Sequence, residues 1–465
     1  MGRTNFRPTW LAFKVMSTLL VRNSKILVTM DEKRREIPDG GLFIRNGVIE
    51  TVDATINLPK QADQIFDMAD CIVVPGLINT HHHFYQNLTR TVPTAQDATL
   101  FNWLRTLYPI WAKMGPAEIR ISTKLALAEL ALSGGTCSSD HLYIFPNGAR
   151  LDDQIEASSE LGLRLHATRG AMSFGESNGG LPPDILVEKE SAILDDSLRV
   201  IQTYHDPSPG AFIRIGLAPC SPFSVSRELM RDTAILAREH SIMLHTHLAE
   251  NSDDVDYSLE KFGCTPGEYV EDLGWTGEDV WHAHCVKLSN GEIDLFQRTG
   301  TGIAHCPCSN MRLGSGIAPV VNMRNAGINI GLGVDGSASN DSSNILSEAR
   351  QAMLLQRVAF GGSALSARDA LEIATIGGAK VLGRPDLGSL EVGKRADFAA
   401  YSTKNIVFSG NWDPVAGLLF CTPLRATHTI VEGRPIVQNG QLMTIDIDDL
   451  LSSHSKLTER LLNEV

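Results

Sequence analysis

Eight short apolar segments alternate with stretches of helical periodicity through the middle of this chain, and this alternation limits the fold more than any other feature. The segments are Cys71–Thr80, Gly135–His141, Leu163–Arg169, Phe212–Pro219, Ile242–His247, Val280–His284, Gly302–Cys306 and Ile328–Asp335. Apolar strands separated by helices form parallel sheets, and eight such units over roughly 300 residues are typical of a closed barrel. The structural alternative is a doubly wound open sheet, which places its ligands at one switch point.

Both ends of the chain have a different pattern, that of short strands joined by tight turns. Residues 40–53 mix apolar and polar positions, and Glu432-Gly433 and Asn439-Gly440 are typical turn pairs of β-hairpins. We therefore predict an α/β protein with a (β/α)8, TIM-like barrel and a small β-sandwich domain formed by both termini. The predicted limits are residues 1–73 and 376–465 for the sandwich and 74–375 for the barrel.

The composition is that of an ordinary globular enzyme. The 465 residues carry a net charge of −13, with 43% hydrophobic and 20% charged residues. This acidic balance argues against nucleic-acid binding, and no apolar run reaches the roughly 18 residues of a membrane span. The first residues lack the long apolar region of a signal peptide, so the eight cysteines indicate a reducing, cytoplasmic location. Met16 is an alternative start, which would make residues 1–15 an extension.

Three consecutive histidines end the first apolar segment. In an extended chain, residues two apart face the same side, so His81 and His83 point together and His82 points away. Two imidazoles at the end of a strand suit a metal ion such as zinc. For this motif alone, a polar loop that happens to contain three histidines stays open as the simpler interpretation.

The fifth segment ends in a second group of polar residues, His245, His247 and Glu250. His247 lies nearer the mouth of the barrel and is the better metal ligand, so we expect His245 one layer deeper. Glu250 can reach over the mouth and act as acid and base beside a metal-activated water. The simpler interpretation is a buried histidine pair with a solvated glutamate.

Two further segments end in His282-Ala-His284 and in Asp335. By the same argument His284 lies in the site and His282 below it, whereas Asp335 taken alone is best explained as a turn or a helix cap. All the candidates nevertheless fall at the carboxyl ends of segments one, five, six and eight. In a closed barrel these ends converge on the face that holds the active site, so a metal-dependent hydrolase is the simplest explanation.

Five motifs in this order resemble a known family. They are PGLINTHHH, HTHLAE, HAHCV, HCPCSNMRLGSG and GLGVDGSASND. They are similar to the motifs of the amidohydrolase superfamily, in its cytosine/guanine deaminase and triazine hydrolase branch. GSLEVGKRADFAAYS also resembles the β-sandwich tail of that family, so the resemblance covers the chain from about residue 17 to residue 445.

The resemblance implies one divalent metal ion, with zinc expected and iron as the alternative. The implied ligands are His81, His83, His247 and Asp335. Glu250 matches the proton-shuttling glutamate, and His284 matches the histidine that orients the hydroxide and polarises the substrate. Asp335 is implied to hold the hydroxide together with His284, and either Glu250 or Asp335 passes a proton to the departing amine. The fourth strand, FIRIGLAP, lacks the lysine that bridges two metals in binuclear relatives. The implied reaction is hydrolytic deamination, in which water replaces an amino group on a nitrogen heterocycle and ammonia leaves.

Substrate contacts are expected from the loops that follow the strands, at Gln86, Trp103, Tyr143, Cys220 and Glu250. Gln86 can make a two-point contact with the edge of a purine. For Trp103 and Tyr143, packing within a lid is an equal alternative. Cys220 is expected to be a small residue of the pocket wall, because no adjacent base would activate its thiol.

The loops SSDHLYIFPNG and APCSPFS are most similar to those of 8-oxoguanine deaminases, which implies conversion of 8-oxoguanine to urate and ammonia. The alternatives are a triazine-type (hydroxyatrazine-like) aminohydrolase and a deaminase of guanine or isocytosine. Guanine is disfavoured because residues 217–220 replace the Arg-Phe-Ala-Pro pattern of guanine deaminases. A non-catalytic binding barrel is the alternative from another class. By analogy with this branch we expect a homodimer or a larger homo-oligomer.

Overall fold

The computed structural model describes residues 18–421 and 424–464. Its centre is a closed barrel of eight parallel strands with helices around it, and strands from both ends of the chain form a second, largely antiparallel sheet. The predicted fold class is therefore confirmed. Met16 and the question of a second start lie outside the described residues.

The strands fall into three groups along the chain. The first group is β1 (Thr18–Val28), β2 (Glu36–Arg45), β3 (Val48–Ala54), β4 (Gln64–Asp67) and β5 (Cys71–Pro75). The barrel is β6 (Leu77–Asn79), β7 (Gly135–Leu142), β8 (Arg164–Ala171), β9 (Ile213–Pro219), β10 (Met243–Leu248), β11 (Val280–His284), β12 (Gly302–His305) and β13 (Ile330–Leu332). The last group is β14 (Phe398–Ser402), β15 (His428–Val431), β16 (Arg434–Gln438) and β17 (Gln441–Leu442). Each barrel strand pairs with its neighbours in chain order, and β13 closes the barrel onto β6.

Most of the helices follow barrel strands and cover the outside of the barrel. They are α1 (Leu100–Trp111), α2 (Pro116–Leu132), α3 (Leu151–Leu161), α4 (Glu190–Tyr204), α5 (Arg227–Glu239), α6 (Ser252–Phe262), α7 (Pro266–Asp272), α8 (Asn290–Thr299), α9 (Pro307–Arg312), α10 (Val320–Asn325), α11 (Ile345–Phe360), α12 (Ala367–Glu372), α13 (Gly378–Val381), α14 (Pro414–Phe420) and α15 (Ile447–Asn463). Local sequence determines several starts. The Ser226 side chain accepts a hydrogen bond from the Leu229 amide at the start of α5, for example. Among the described residues, no helix is both long enough and apolar enough to cross a membrane.

The first predicted segment, Cys71–Thr80, is two strands rather than one. β5 ends at Pro75 and pairs with β1 and β14 in the terminal sheet, whereas β6 begins at Leu77 and belongs to the barrel. The break falls at Gly76, where an added Cβ would lie only 2.1 Å from Thr136 Oγ1. The close approach of this backbone to the Thr136 side chain therefore requires glycine at the point where the chain changes sheets.

The terminal sheet has the order β17-β16-β15-β14-β5-β1-β2-β3, and β4 pairs with β1. It encloses a small apolar core of its own, which includes Leu27, Ile44 and Phe398. Both predicted turn pairs close hairpins, and their four residues have positive φ angles between 52° and 75°. The predicted domain limits, after residues 73 and 375, remain predictions.

A buried ion pair joins the barrel to the terminal sheet. Arg164, the first residue of β8, donates hydrogen bonds from Nε and Nη2 to the two carboxylate oxygens of Asp397, at 2.7 and 3.0 Å. Asp397 directly precedes β14 and also accepts a hydrogen bond from the Glu432 amide at 2.8 Å. Because Arg164 is fully buried, its charge requires compensation, which comes mainly from Asp397, while Glu432 Oε2 lies further away, at 3.9 Å from Arg164 Nη2.

We predict that Asp397→Ala lowers the free energy of unfolding by roughly 3–5 kcal/mol, because the Arg164 guanidinium stays buried without the carboxylate that pairs with it. Urea denaturation followed by circular dichroism measures this loss. The matched control is Glu50→Ala, which breaks the exposed Arg45–Glu50 pair and should cost about 0–1 kcal/mol. Equal, small losses for the two variants would contradict the role of the buried pair.

Candidate metal centre

Three barrel strands bring the predicted metal ligands to one point. His81 and His83 follow β6, His247 lies near the end of β10, and Asp335 follows β13. Because the strands are parallel and the barrel is closed, their carboxyl ends share one face. His81, His83 and Asp335 are buried there, whereas His247 keeps some exposure to the adjoining cavity.

The potential ligand atoms of this cluster lie close together. Asp335 Oδ1 is 3.3 Å from Nε2 of both His81 and His83, and His83 Nε2 is 3.1 Å from His247 Nε2. Two overlapping sets of four residues bring their ligand atoms within 4.8 Å of one another. They are His81, His83, His141 and His247, and His81, His247, His284 and Asp335. The predicted ligands all belong to this cluster, which offers enough donors for a tetrahedral metal ion.

Hydrogen bonds on the outer side of the rings determine where the protons lie. His83 Nδ1 is 2.7 Å from the carbonyl oxygen of His141, and His247 Nδ1 is 2.5 Å from that of Cys220. Because a carbonyl oxygen only accepts, each Nδ1 carries the proton and each neutral ring presents a lone pair at Nε2. The two Nε2 atoms therefore repel each other at 3.1 Å unless a cation lies between them.

The charges of the neighbouring groups also suit a cation. Burial, followed by the nearby histidines His83 and His284, lowers the pKa of His247 to about 3, so its ring is neutral near pH 7. Burial alone would raise the pKa of Asp335, but contact with His81 and the other histidines holds it well below its usual value. An anionic carboxylate among neutral imidazoles is a donor set that fits zinc and also iron.

The other histidines near the cluster have distinct positions. His82 faces away, as predicted, with Nε2 2.9 Å from Ser343 Oγ. His245 lies one layer deeper, also as predicted, and contacts His81. His141 is not among the predicted ligands, yet it lies in the cluster, and within the described residues its Nδ1 has no hydrogen-bond partner.

The prediction that His282 lies inside the barrel below His284 is wrong. His282 Nε2 is 3.0 Å from the Trp275 carbonyl oxygen, and its ring packs 5.3 Å from the ring of Phe296 in α8, outside the barrel. Strand alternation alone would turn His284 outward as well. His284 reaches the site because its backbone is left-handed, with a φ angle of 70°, which redirects the side chain.

Glu250 and His284 lie together beside the cluster. His284 Nε2 is 3.6 Å from Glu250 Oε2 and 3.9 Å from Asp335 Oδ2, and His284 Nδ1 donates a hydrogen bond to Asn310 Oδ1 at 2.9 Å. Burial raises the pKa of Glu250 to about 7, although the neighbouring His284 opposes the shift. A carboxyl group that titrates near neutral pH can both take and give a proton during turnover.

A cavity adjoins the cluster. All five predicted substrate-contact residues line it, namely Gln86, Trp103, Tyr143, Cys220 and Glu250. The Trp103 indole N–H donates to the Ala338 carbonyl oxygen at 3.2 Å, so the ring rather than this polar group is available to a substrate. Gln86 Oε1 is buried and makes no hydrogen bond within the described part of the chain, so it can accept one from a ligand.

Sequence reasoning missed the polar residues that hold the site from behind. They include Asn310, which holds His284, and Ser339, whose hydroxyl donates to Asp335 Oδ2 at 3.2 Å. Ser315 Oγ also lies 3.5 Å from Glu250 Oε1. All three belong to the quoted motifs, but these segments lie beyond the barrel strands, and strand alternation does not predict where their side chains point.

Known proteins share this arrangement of sequence and fold. A sequence model of the family described as "Amidohydrolase family" matches residues 72–435 of this chain. The chain belongs to the amidohydrolase family. It is 46% identical over 418 residues to the 8-oxoguanine deaminase of Pseudomonas aeruginosa, and the aligned region covers 89% of this chain and 93% of that protein.

Two further relatives are named after atrazine compounds. The chain is 34% identical over 453 residues to the hydroxydechloroatrazine ethylaminohydrolase of Pseudomonas sp. strain ADP, covering 93% of each protein. The crystal structure of an atrazine chlorohydrolase from Arthrobacter aurescens complexed with zinc has a TM-score of 0.90 at 34% identity, covering 95% of this chain and 100% of that one. The predicted family resemblance is confirmed, and this amidohydrolase is a hydrolytic aminohydrolase rather than a non-catalytic barrel.

Because Glu250 has a pKa of about 7 in the folded chain against an ordinary value near 4.5, the folded state binds more protons between these pH values and loses stability as pH rises through them. We predict that Glu250→Gln stabilises the metal-free protein by roughly 1–3 kcal/mol more at about pH 8 than at about pH 5. Urea denaturation at the two pH values measures the difference. Glu239→Gln, at the exposed end of α5, is the control. A Glu250→Gln effect that is the same at both pH values would refute this assignment.

Proposed function

We propose that His81, His83, His247 and Asp335 hold one divalent metal ion, zinc by preference and iron as the alternative. The observation that carries this proposal is the distance of 3.1 Å between the Nε2 atoms of His83 and His247, beside the Asp335 carboxylate. Both Nε2 atoms bear lone pairs, and a cation bound between them turns their repulsion into attraction. The fourth barrel strand, β9, has the sequence IRIGLAP and offers no lysine to bridge a second ion, so one ion is expected.

The chemistry of deamination divides among residues of this chain. A bound divalent ion would lower the pKa of water at the site and so supply the nucleophile at neutral pH. Glu250 takes the proton that the water releases and delivers it to the ring nitrogen beside the reacting carbon, which becomes electrophilic. His284 orients the nucleophile through Nε2, and Asp335 accepts its second proton. That proton passes to the amino group, which leaves as ammonia, and C–NH2 becomes C=O.

We infer that the substrate is a 2-amino-oxopurine, with 8-oxoguanine preferred, which yields urate and ammonia. The 46% identity to an 8-oxoguanine deaminase over most of both chains supports this choice. Gln86 supplies an amide that can accept from and donate to a purine edge, and Trp103 and Tyr143 supply aromatic walls. Burial raises the pKa of the Cys220 thiol to about 12, so it serves as a wall rather than as a nucleophile.

A triazine-type aminohydrolase is the second candidate function. The 34% identity to hydroxydechloroatrazine ethylaminohydrolase and the fold of the zinc-bound atrazine chlorohydrolase favour it. Both candidates use the same centre and the same displacement of an amine by water, so the cavity rather than the metal ligands must separate them. Two further substrates remain as alternatives to 8-oxoguanine: isocytosine, which is smaller, and guanine, which lacks the 8-oxo group.

The decisive experiment measures the amine that the zinc-loaded protein releases from each substrate side by side. The amine is ammonia for 8-oxoguanine, guanine and isocytosine, and ethylamine for hydroxyatrazine. We predict the highest kcat/KM for 8-oxoguanine. Ethylamine release from hydroxyatrazine is measured in parallel, because this product separates the triazine reaction. A clear preference for hydroxyatrazine would replace the purine assignment, and no product from any substrate, with zinc bound, would remove the proposed deamination.

We predict that Glu250→Gln lowers kcat by about 10²–10⁴-fold, because the amide cannot carry the proton, while one zinc ion per chain is retained. Elemental analysis of the purified variant checks the metal, and Glu239→Gln on the surface controls for the substitution itself. Near-normal turnover by Glu250→Gln would show that another group moves the proton.

A further inference from the structure

His245 connects the proposed ligand His81 to the wall of the barrel. His245 Nε2 is 2.7 Å from His81 Nδ1, and His245 Nδ1 is 2.9 Å from the carbonyl oxygen of Trp281. Both histidines are completely buried, so their ring nitrogens depend on partners within the protein. The three groups form one continuous chain of contacts from the backbone of β11 to the metal centre.

These contacts permit one arrangement of protons. The Trp281 carbonyl oxygen only accepts, so His245 Nδ1 carries a proton. A neutral imidazole carries a single N–H, so with the proton on Nδ1 the Nε2 atom of His245 bears a lone pair. His81 Nδ1 therefore donates to His245, and His81 Nε2 presents its lone pair toward Asp335 Oδ1, 3.3 Å away.

Trp281 holds both ends of this chain of contacts. Its ring stacks on that of His245, with the centroids 4.5 Å apart and the planes inclined by 16°. Its indole N–H donates to the carbonyl oxygen of Thr80, the residue before His81, at 3.0 Å. The same tryptophan thus constrains the His81 backbone directly and the His81 ring through His245.

We propose that His245 is a positioning residue for the metal centre, which accepts the Nδ1 proton of His81 and so fixes the tautomer and orientation in which His81 binds the ion. The inference rests on the proposed metal centre. The Nδ1 protons of His83 and His247 are accepted instead by backbone carbonyl oxygens, which a side-chain substitution does not remove. His81 depends on a side chain, so changing His245 alone releases one ligand.

Two substitutions separate the hydrogen bond from the packing. In His245→Gln the amide oxygen lies near the position of Nε2 and can still accept from His81. In His245→Asn the amide is near the position of Nδ1 and can still reach Trp281, but His81 loses its acceptor. Because partners of this kind typically change metal affinity by about 10–100-fold, the two variants should differ clearly.

His282→Asn is the matched control. His282 is also a completely buried histidine of the barrel wall, and it also makes one ring hydrogen bond to the carbonyl oxygen of a tryptophan, Trp275. It faces the helices outside the barrel and does not belong to the metal cluster. A general effect of removing a buried imidazole would therefore appear equally in His282→Asn.

The readouts are the zinc dissociation constant, from competition with a chromophoric chelator, and the visible absorption spectrum of the cobalt-substituted protein. We expect His245→Asn to weaken zinc binding by about 10–100-fold and to alter the cobalt spectrum, with His245→Gln and His282→Asn close to the wild type. Wild-type affinity and spectrum in His245→Asn, or an equal loss in His282→Asn, would overturn the positioning role. Failure of the wild type itself to bind zinc would instead overturn the proposed metal centre.

If His245→Asn does not fold, His245→Met answers the same question. Methionine fills the space against Trp281 but offers His81 only a weak acceptor. We expect His245→Met to bind zinc about 10–100-fold more weakly than His245→Gln does. Equal zinc affinity in the methionine and glutamine variants would contradict the proposal.

Discussion

The mutual repulsion of imidazole lone pairs around Asp335 is the interaction on which the rest of this site depends. Each proposed histidine ligand has its Nδ1 proton engaged on the outside, by the carbonyl of His141, the carbonyl of Cys220 or the ring of His245. The Nε2 atoms must then face inward together. Such a centre is unfavourable until a cation occupies it, so metal binding and folding stability are coupled here.

The closed barrel makes this convergence possible because it brings strand ends that are distant in the sequence to one face. Regular strand geometry does not complete the site, however. His284 and Asp335 have left-handed backbones, with φ angles of 70° and 62°, and Ala249 beside Glu250 has one of 49°. A left-handed backbone at a residue other than glycine costs about 1–2 kcal/mol of conformational free energy. This strain lies in the segments that position the proton-transfer groups.

The fold and the site differed in how far the sequence predicted them. Eight apolar segments were enough for the barrel because strand and helix periodicities are local properties, yet Cys71–Thr80 appeared as one strand because the clash that requires Gly76 comes from distant Thr136. Alternation correctly separated His82 from its neighbours but misplaced His282, since a single left-handed residue reverses the direction of a side chain. Asn310 and Ser315 support the site through tertiary contacts that strand and helix periodicity do not encode.

The most direct test of the account is a crystal structure of the zinc-loaded protein with anomalous diffraction at the zinc edge. One peak per chain is expected, about 2.0–2.2 Å from Nε2 of three histidines and from a carboxylate oxygen of Asp335. The histidines are His81, His83 and His247. Two peaks, a peak outside this cluster, or coordination through Nδ1 of any of these histidines would contradict the proposed proton arrangement and the single metal ion that follows from it.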